Sequence, residues 1–295
     1  MDIIKKMLYN WFMKIFDYFK KKRISKLKIG LALSGGATRG FAYIGVFRAF
    51  EQLGIKFSYV AGTSAGSIFG AMYANGFTAD QMENMISSIN KKDIKLNNFL
   101  FGSSTDGLRN TLIKCFGSDI VFSDLKIPFI AVATNVKTGK EVHITSGSVS
   151  KALVASSALP GVFKPVIWGD KTLVDGGVVN TLPIDVLGQF DPDFVFAVEV
   201  NSKRGNGTAN PGLISTLKST LGILINNNAK QSLENADIVL KPNLDFVNSR
   251  KFDSIPEMIS EGYKCVMGRA DEILKIINKK PKKSKIWKEK IVEVI

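Results

Sequence analysis

A single histidine, His143, is the sharpest limit on what this chain can do. Histidine is the commonest zinc ligand and the usual base beside a nucleophilic serine. One copy therefore argues against a His-rich metal centre and leaves any Ser–His–Asp triad a single candidate base. Cysteine is nearly as scarce. Cys115 and Cys265 lie far apart without metal-type spacing and read as free thiols of a reducing, cytoplasmic compartment. Long uncharged apolar runs are missing near the N-terminus, where Lys5, Lys6, Lys14 and Asp17 interrupt every window of about 20 residues, so neither a membrane span nor a signal peptide is expected there.

Lysine is abundant and unevenly placed. The formal net charge is +14 over 295 residues. Residues 1–28 hold nine Lys or Arg against Asp2 and Asp17, and residues 279–295 hold seven Lys against Glu289 and Glu293, which leaves the centre nearly neutral. The basic ends suit an anionic surface, membrane or nucleic acid, and say little about the ligand of the centre. Between Met1 and Arg23, Ile4, Met7, Leu8, Trp11, Phe12, Ile15, Phe16 and Phe19 recur at spacings of three and four. The spacing predicts an amphipathic helix over 1–27, suited to the inner face of a membrane or to packing on the protein. Its aromatic face, with no base-reading motif anywhere, favours lipid over nucleic acid.

With 45% hydrophobic residues the chain is long enough for a substantial core. Short apolar runs alternate with helical patterns and show no fixed-period repeat, which predicts one α/β domain over 28–278 with a mainly parallel sheet, followed by a basic tail over 279–295. Its last helix reads as continuous from Pro256 to about Asn278.

Two strand–turn–helix units carry the chemistry. The second runs from Phe57–Val60 through Gly62-Thr63-Ser64-Ala65-Gly66 into a helix stopped by Asn75-Gly76. Glycines two residues before and after a serine permit the sharp turn that holds a nucleophilic hydroxyl at a helix N-terminus. The first unit passes from 28–33 through Ser34-Gly35-Gly36-Ala37-Thr38-Arg39-Gly40. It lacks the Lys-Ser/Thr of a phosphate-binding loop, so its exposed N–H groups read better as an oxyanion hole than as a nucleotide site. His143 sits mid-strand, just after a hairpin turn and ahead of the best acid, and makes a poor base. Asp175, ending an apolar strand before Gly176-Gly177, could accept the serine proton if burial raised its pKa, although Asp-Gly is also a common hairpin turn.

Four blocks in this order, Gly35–Gly40, Gly62–Gly66, Ser156–Phe163 and Asp175–Gly177, resemble the patatin-like phospholipase family over roughly Lys28 to Leu240. The resemblance implies a three-layer α/β/α fold and lipid acyl hydrolysis by a Ser–Asp dyad without histidine, metal or cofactor. It implies that Ser64 is the nucleophile, Asp175 its base, and the N–H groups of Gly35, Gly36 and Ala37 the oxyanion hole. Ser34 stands where the family often has Gly or Asp. Arg39 could meet a lipid phosphate or support the loop. The expected substrate is a phospholipid or other acyl lipid at an anionic membrane surface. Triacylglycerol hydrolysis, acyl transfer and a silent lipid-binding role are the alternatives.

Overall fold

The computed structural model describes residues 26–88, 105–201, 233–247, 254–279 and 292–295, together with Gly212, Thr216, Thr220, Gly222, Ile223, Ile225, Asn227, Asn228 and Trp287. All but the last two residues of the amphipathic helix expected over 1–27 lie outside the described residues, as do residues 202–211 and most of the stretch that follows them. The strands are β1 (Ile29–Leu33), β2 (Tyr59–Thr63), β3 (Phe129–Asn135), β4 (Lys140–Ile144), β5 (Val166–Trp168), β6 (Lys171–Asp175), β7 (Phe194–Val198), β8 (Ile238–Leu240) and β9 (Glu293–Val294). The helices are α1 (Ala42–Gln52), α2 (Ala65–Ala74), α3 (Ala79–Ser88), α4 (Thr105–Phe116), α5 (Val149–Ser157), α6 (Ile255–Met267) and α7 (Ala270–Asn278).

All strands join one sheet. Its centre, β8-β7-β1-β2-β3, is parallel throughout. These strands are short and apolar with almost no polar alternation, as strands covered on both faces must be. On one face Ile29, Leu31, Leu33, Val60, Phe129, Phe194, Phe196 and Val198 pack under the helices. On the other, the smaller Ala32, Ala61, Ile130, Val132, Val195 and Ala197 pack against Leu182, Ile184, Val186 and Leu187, while Tyr59 and Phe190 stack at 4.5 Å. The expected three-layer fold with a mainly parallel sheet is what forms. Helix α1 is buried on most of its circumference, because α6 lies directly on it: a Cβ on Gly45 would stand 1.8 Å from the Ile259 carbonyl oxygen, and one on Gly262 would stand 2.0 Å from that of Ala42.

Strand β3 changes the sheet's direction. Its first half pairs with β2, Thr63 opposite Val132. Its second half pairs antiparallel with β6, Asp175 opposite Ala133. Strand β4 takes residues from both halves, Ala131 opposite Ile144 and Ala133 opposite Val142. Since a strand has two hydrogen-bonding edges and β4 occupies one, β2 and β6 share the other.

Two expectations are corrected. The single helix from Pro256 to Asn278 is two helices, because the chain leaves helical geometry at Arg269 (φ −117°, ψ 18°). The Arg269 guanidinium there donates to the Val239 carbonyl at 2.6 Å and to Glu272 at 2.7 and 2.8 Å, and so ties the break to β8. The C-terminal residues are not a separate tail where they are described. Glu293–Val294 pairs with β4, and Trp287 packs so closely on Gly188 that a Cβ there would lie 2.5 Å from the indole.

Candidate active site

The turn between β2 and α2 is as tight as its glycines suggest. Ser64 has φ 52° and ψ −123°, outside the regions ordinary side chains favour. A Cβ on Gly62 would lie 2.3 Å from the Gly66 carbonyl oxygen, and one on Gly66 would lie 2.3 Å from that of Leu33. No side chain fits either place, so β1, β2 and α2 converge only because both residues are glycine. Four further bonds hold the strained residue. Its N–H donates to Ser156 Oγ at 2.9 Å, and its carbonyl accepts from Ser67 N–H at 2.9 Å, Ser67 Oγ at 2.6 Å and Ile68 N–H at 3.2 Å. Ser156 in turn donates to the Val132 carbonyl at 2.6 Å, anchoring the turn to β3.

Asp175 ends β6 beside that turn. It is 5% exposed, its Oδ1 accepts the Gly177 N–H at 2.8 Å, and it lines one pocket with Ser64. Burial pushes its pKa up to about 6, against the opposing pull of the Gly177 N–H and the Ser64 hydroxyl. Its own N–H donates to the Ala158 carbonyl at 3.0 Å, so the end of α5 fixes the Asp175 backbone as well as the Ser64 backbone.

The glycine-rich turn after β1 stands over the same place. Ala37 has φ 50° and lines a pocket of about 40 Å³ with Ser64, Ala65, Leu108, Ser157 and Asp175. Gly35 donates its N–H to the Thr181 carbonyl at 3.0 Å, so that group is committed inside the fold. Of the three N–H groups expected to line an oxyanion hole, those of Gly36 and Ala37 meet no acceptor among the described residues. Ser34, buried beneath the turn, accepts the Val200 N–H at 3.0 Å and donates to the Gly35 carbonyl at 3.0 Å, while the Tyr43 hydroxyl donates to the Ser34 carbonyl at 2.6 Å. Serine at this position therefore builds the turn. Arg39 is buried, donates to Asn201 Oδ1 at 3.1 Å and is not part of the pocket lining.

His143 takes no part. Its Nε2 lies 2.8 Å from Glu141 Oε1, which also accepts from Asn180 at 3.0 Å, and it does not line the pocket. Among the described residues no group of three or more His, Cys, Asp or Glu side chains could hold a metal ion, and no helix is long and apolar enough to cross a membrane. Sequence reasoning gave no role to Ser156 or Thr181. The serine pair in Ser156-Ser157 was visible, but helix serines carry no spacing that says which backbone group they will meet.

The Patatin-like phospholipase family model matches residues 31–187. Lysophospholipase NTE1 of Pyricularia oryzae is 27% identical over 278 residues, which is 82% of this chain and 18% of that protein. An uncharacterised NTE family protein of Mycobacterium bovis is 33% identical over 184 residues, 61% of this chain and 51% of that one. The chain thus spans about half or less of the length of these relatives. Among solved structures, VipD from Legionella pneumophila superposes with a TM-score of 0.50 at 16% identity, over 84% of this chain and 67% of that one, a likeness of fold. With its family match covering more than half of its residues, the chain belongs to the patatin-like phospholipases.

Proposed function

We propose that the protein hydrolyses lipid acyl esters, as a phospholipase A or lysophospholipase, with Ser64 as nucleophile and Asp175 as its base. The observation that carries this reading is the meeting of a strained Ser64 and a buried carboxylate, its pKa raised to about 6, in one pocket otherwise lined largely by apolar side chains. The family membership and the lysophospholipase name of a relative support the substrate class.

Ser64 Oγ attacks the ester carbonyl while its proton passes to Asp175, which is ionised at neutral pH yet basic enough to accept it. The oxyanion forms against the N–H groups of Gly36 and Ala37, with the positive end of α2 beside it. The leaving alcohol takes the proton from Asp175. Water then attacks the acyl-enzyme, again losing a proton to Asp175, and the C–Oγ bond breaks as that proton returns to Ser64. The basic, aromatic segment over 1–27 holds the domain on an anionic bilayer.

The test is fatty-acid release from phospholipid and lysophospholipid vesicles by wild type, Ser64→Ala and Asp175→Asn. The reading expects release by wild type alone. Robust hydrolysis by Ser64→Ala would sink the dyad.

A further inference from the structure

The end of α5 makes two of its three polar bonds to the site and leaves the third unmade. Ser156 Oγ accepts the Ser64 N–H, and the Ala158 carbonyl accepts the Asp175 N–H. Between them stands Ser157, an 8% exposed residue of the lining that Ser64, Asp175 and Ala37 share, whose Oγ has no hydrogen-bond partner among the described residues. A buried hydroxyl left unpaired destabilises a fold, and natural structures keep one where a ligand or water completes it. The rest of the lining here (Ile68, Leu108, Leu159, Phe163) offers such a ligand no other polar side chain.

We infer that Ser157 Oγ holds the water that hydrolyses the acyl-enzyme, sharing it with Asp175; this rests on the Ser64–Asp175 hydrolase proposed above. A pocket of about 40 Å³ admits a water molecule, and a buried water needs two or more polar partners. Asp175 alone supplies one. With Ser157 Oγ accepting its second O–H, the water donates one proton to Asp175 and keeps a lone pair for the acyl carbonyl. The new C–O bond forms to this water, its proton moves to Asp175, and the bond to Ser64 Oγ breaks with return of the proton. Ser157 orients the water and takes no proton. During acylation, with Ser64 as nucleophile, it has no comparable part, so its contribution is confined to the second half of the reaction.

The experiment mixes enzyme with a p-nitrophenyl acyl ester. Chromophore release in a single turnover measures acylation. Quenching at intervals and reading the protein mass follows decay of the acyl-enzyme. Ser157→Ala should acylate within about twofold of wild type, while its acyl-enzyme decays about tenfold more slowly, the loss expected for one hydrogen bond to a reacting group. Ser157→Thr, which restores the hydroxyl, should recover most of that decay rate. A parallel fall in both half-reactions or an unchanged decay rate would overturn the role. Wild type that forms no acyl-enzyme would instead refute the underlying hydrolase reading, which separates the two failures.

Discussion

Ser64 and Asp175 meet head to head along one edge of β3. Thr63 pairs with Val132 and Asp175 with the next residue, Ala133, from strands that run in opposite directions. The parallel β2 delivers the serine from one end and the antiparallel β6 delivers the carboxylate from the other. Sheet register sets their approach, and Ser156, bonded to both Ser64 and Val132, locks it. A site built on strands in this way is held more tightly than one carried on loops.

The pH dependence follows from Asp175. Its base form is needed, so kcat/KM should fall on the acid side with an apparent pKa of about 6, the level to which burial raises it. A rate profile on a soluble ester that stays flat down to pH 4 would contradict this.

Stability should move the other way. The folded state holds the Asp175 proton up to about pH 6, while the unfolded chain releases it near 3.8, the ordinary value for an aspartate. The folded state thus binds more protons between those values, and this group's contribution to stability falls as pH rises through that window. Above it the ionised, buried carboxylate costs at most about 3 kcal/mol. Asp175→Asn should therefore melt above wild type at pH 7–8, with the gap closing toward pH 4, in paired thermal scans.

Ser156→Ala removes the acceptor of the Ser64 N–H and leaves that group and the Val132 carbonyl unpaired. A loss of about 1–3 kcal/mol in chemical denaturation is expected, with kcat reduced more than KM is raised. Ser156→Thr should retain much of both.

Gly66→Ala places a methyl 2.3 Å from the Leu33 carbonyl oxygen. Backbone must shift at the junction of β1 and α2, so the variant should lose activity and unfold earlier in thermal scans, whereas Gly117→Ala, whose added Cβ meets nothing within 4 Å but whose φ is 81°, should cost only local strain.

How much of this could be read from the sequence depended on how narrow the steric demand was. Gly62, Gly66, Gly176 and their neighbours mark places where backbone touches backbone, and such demands leave few residue choices. For that reason the two turns, Ser64 and Asp175 were legible. Apolar runs such as Phe194–Val198 gave the buried strands for a similar reason. What stayed hidden depends on pairings across long sequence distances. The Thr181 carbonyl occupying the Gly35 N–H is one such pairing. The strand formed by Glu293–Val294 and the break at Arg269 are others, because a charged tail and a helix-compatible sequence do not announce a partner in β4 or β8.

The most direct measurement is fluorophosphonate labelling, read by peptide mass after digestion. Wild type is predicted to gain one phosphonyl adduct on Ser64, with labelling abolished in Ser64→Ala and greatly slowed in Asp175→Asn. An unreactive wild type, or an adduct on any serine other than Ser64, would contradict the Ser64–Asp175 dyad.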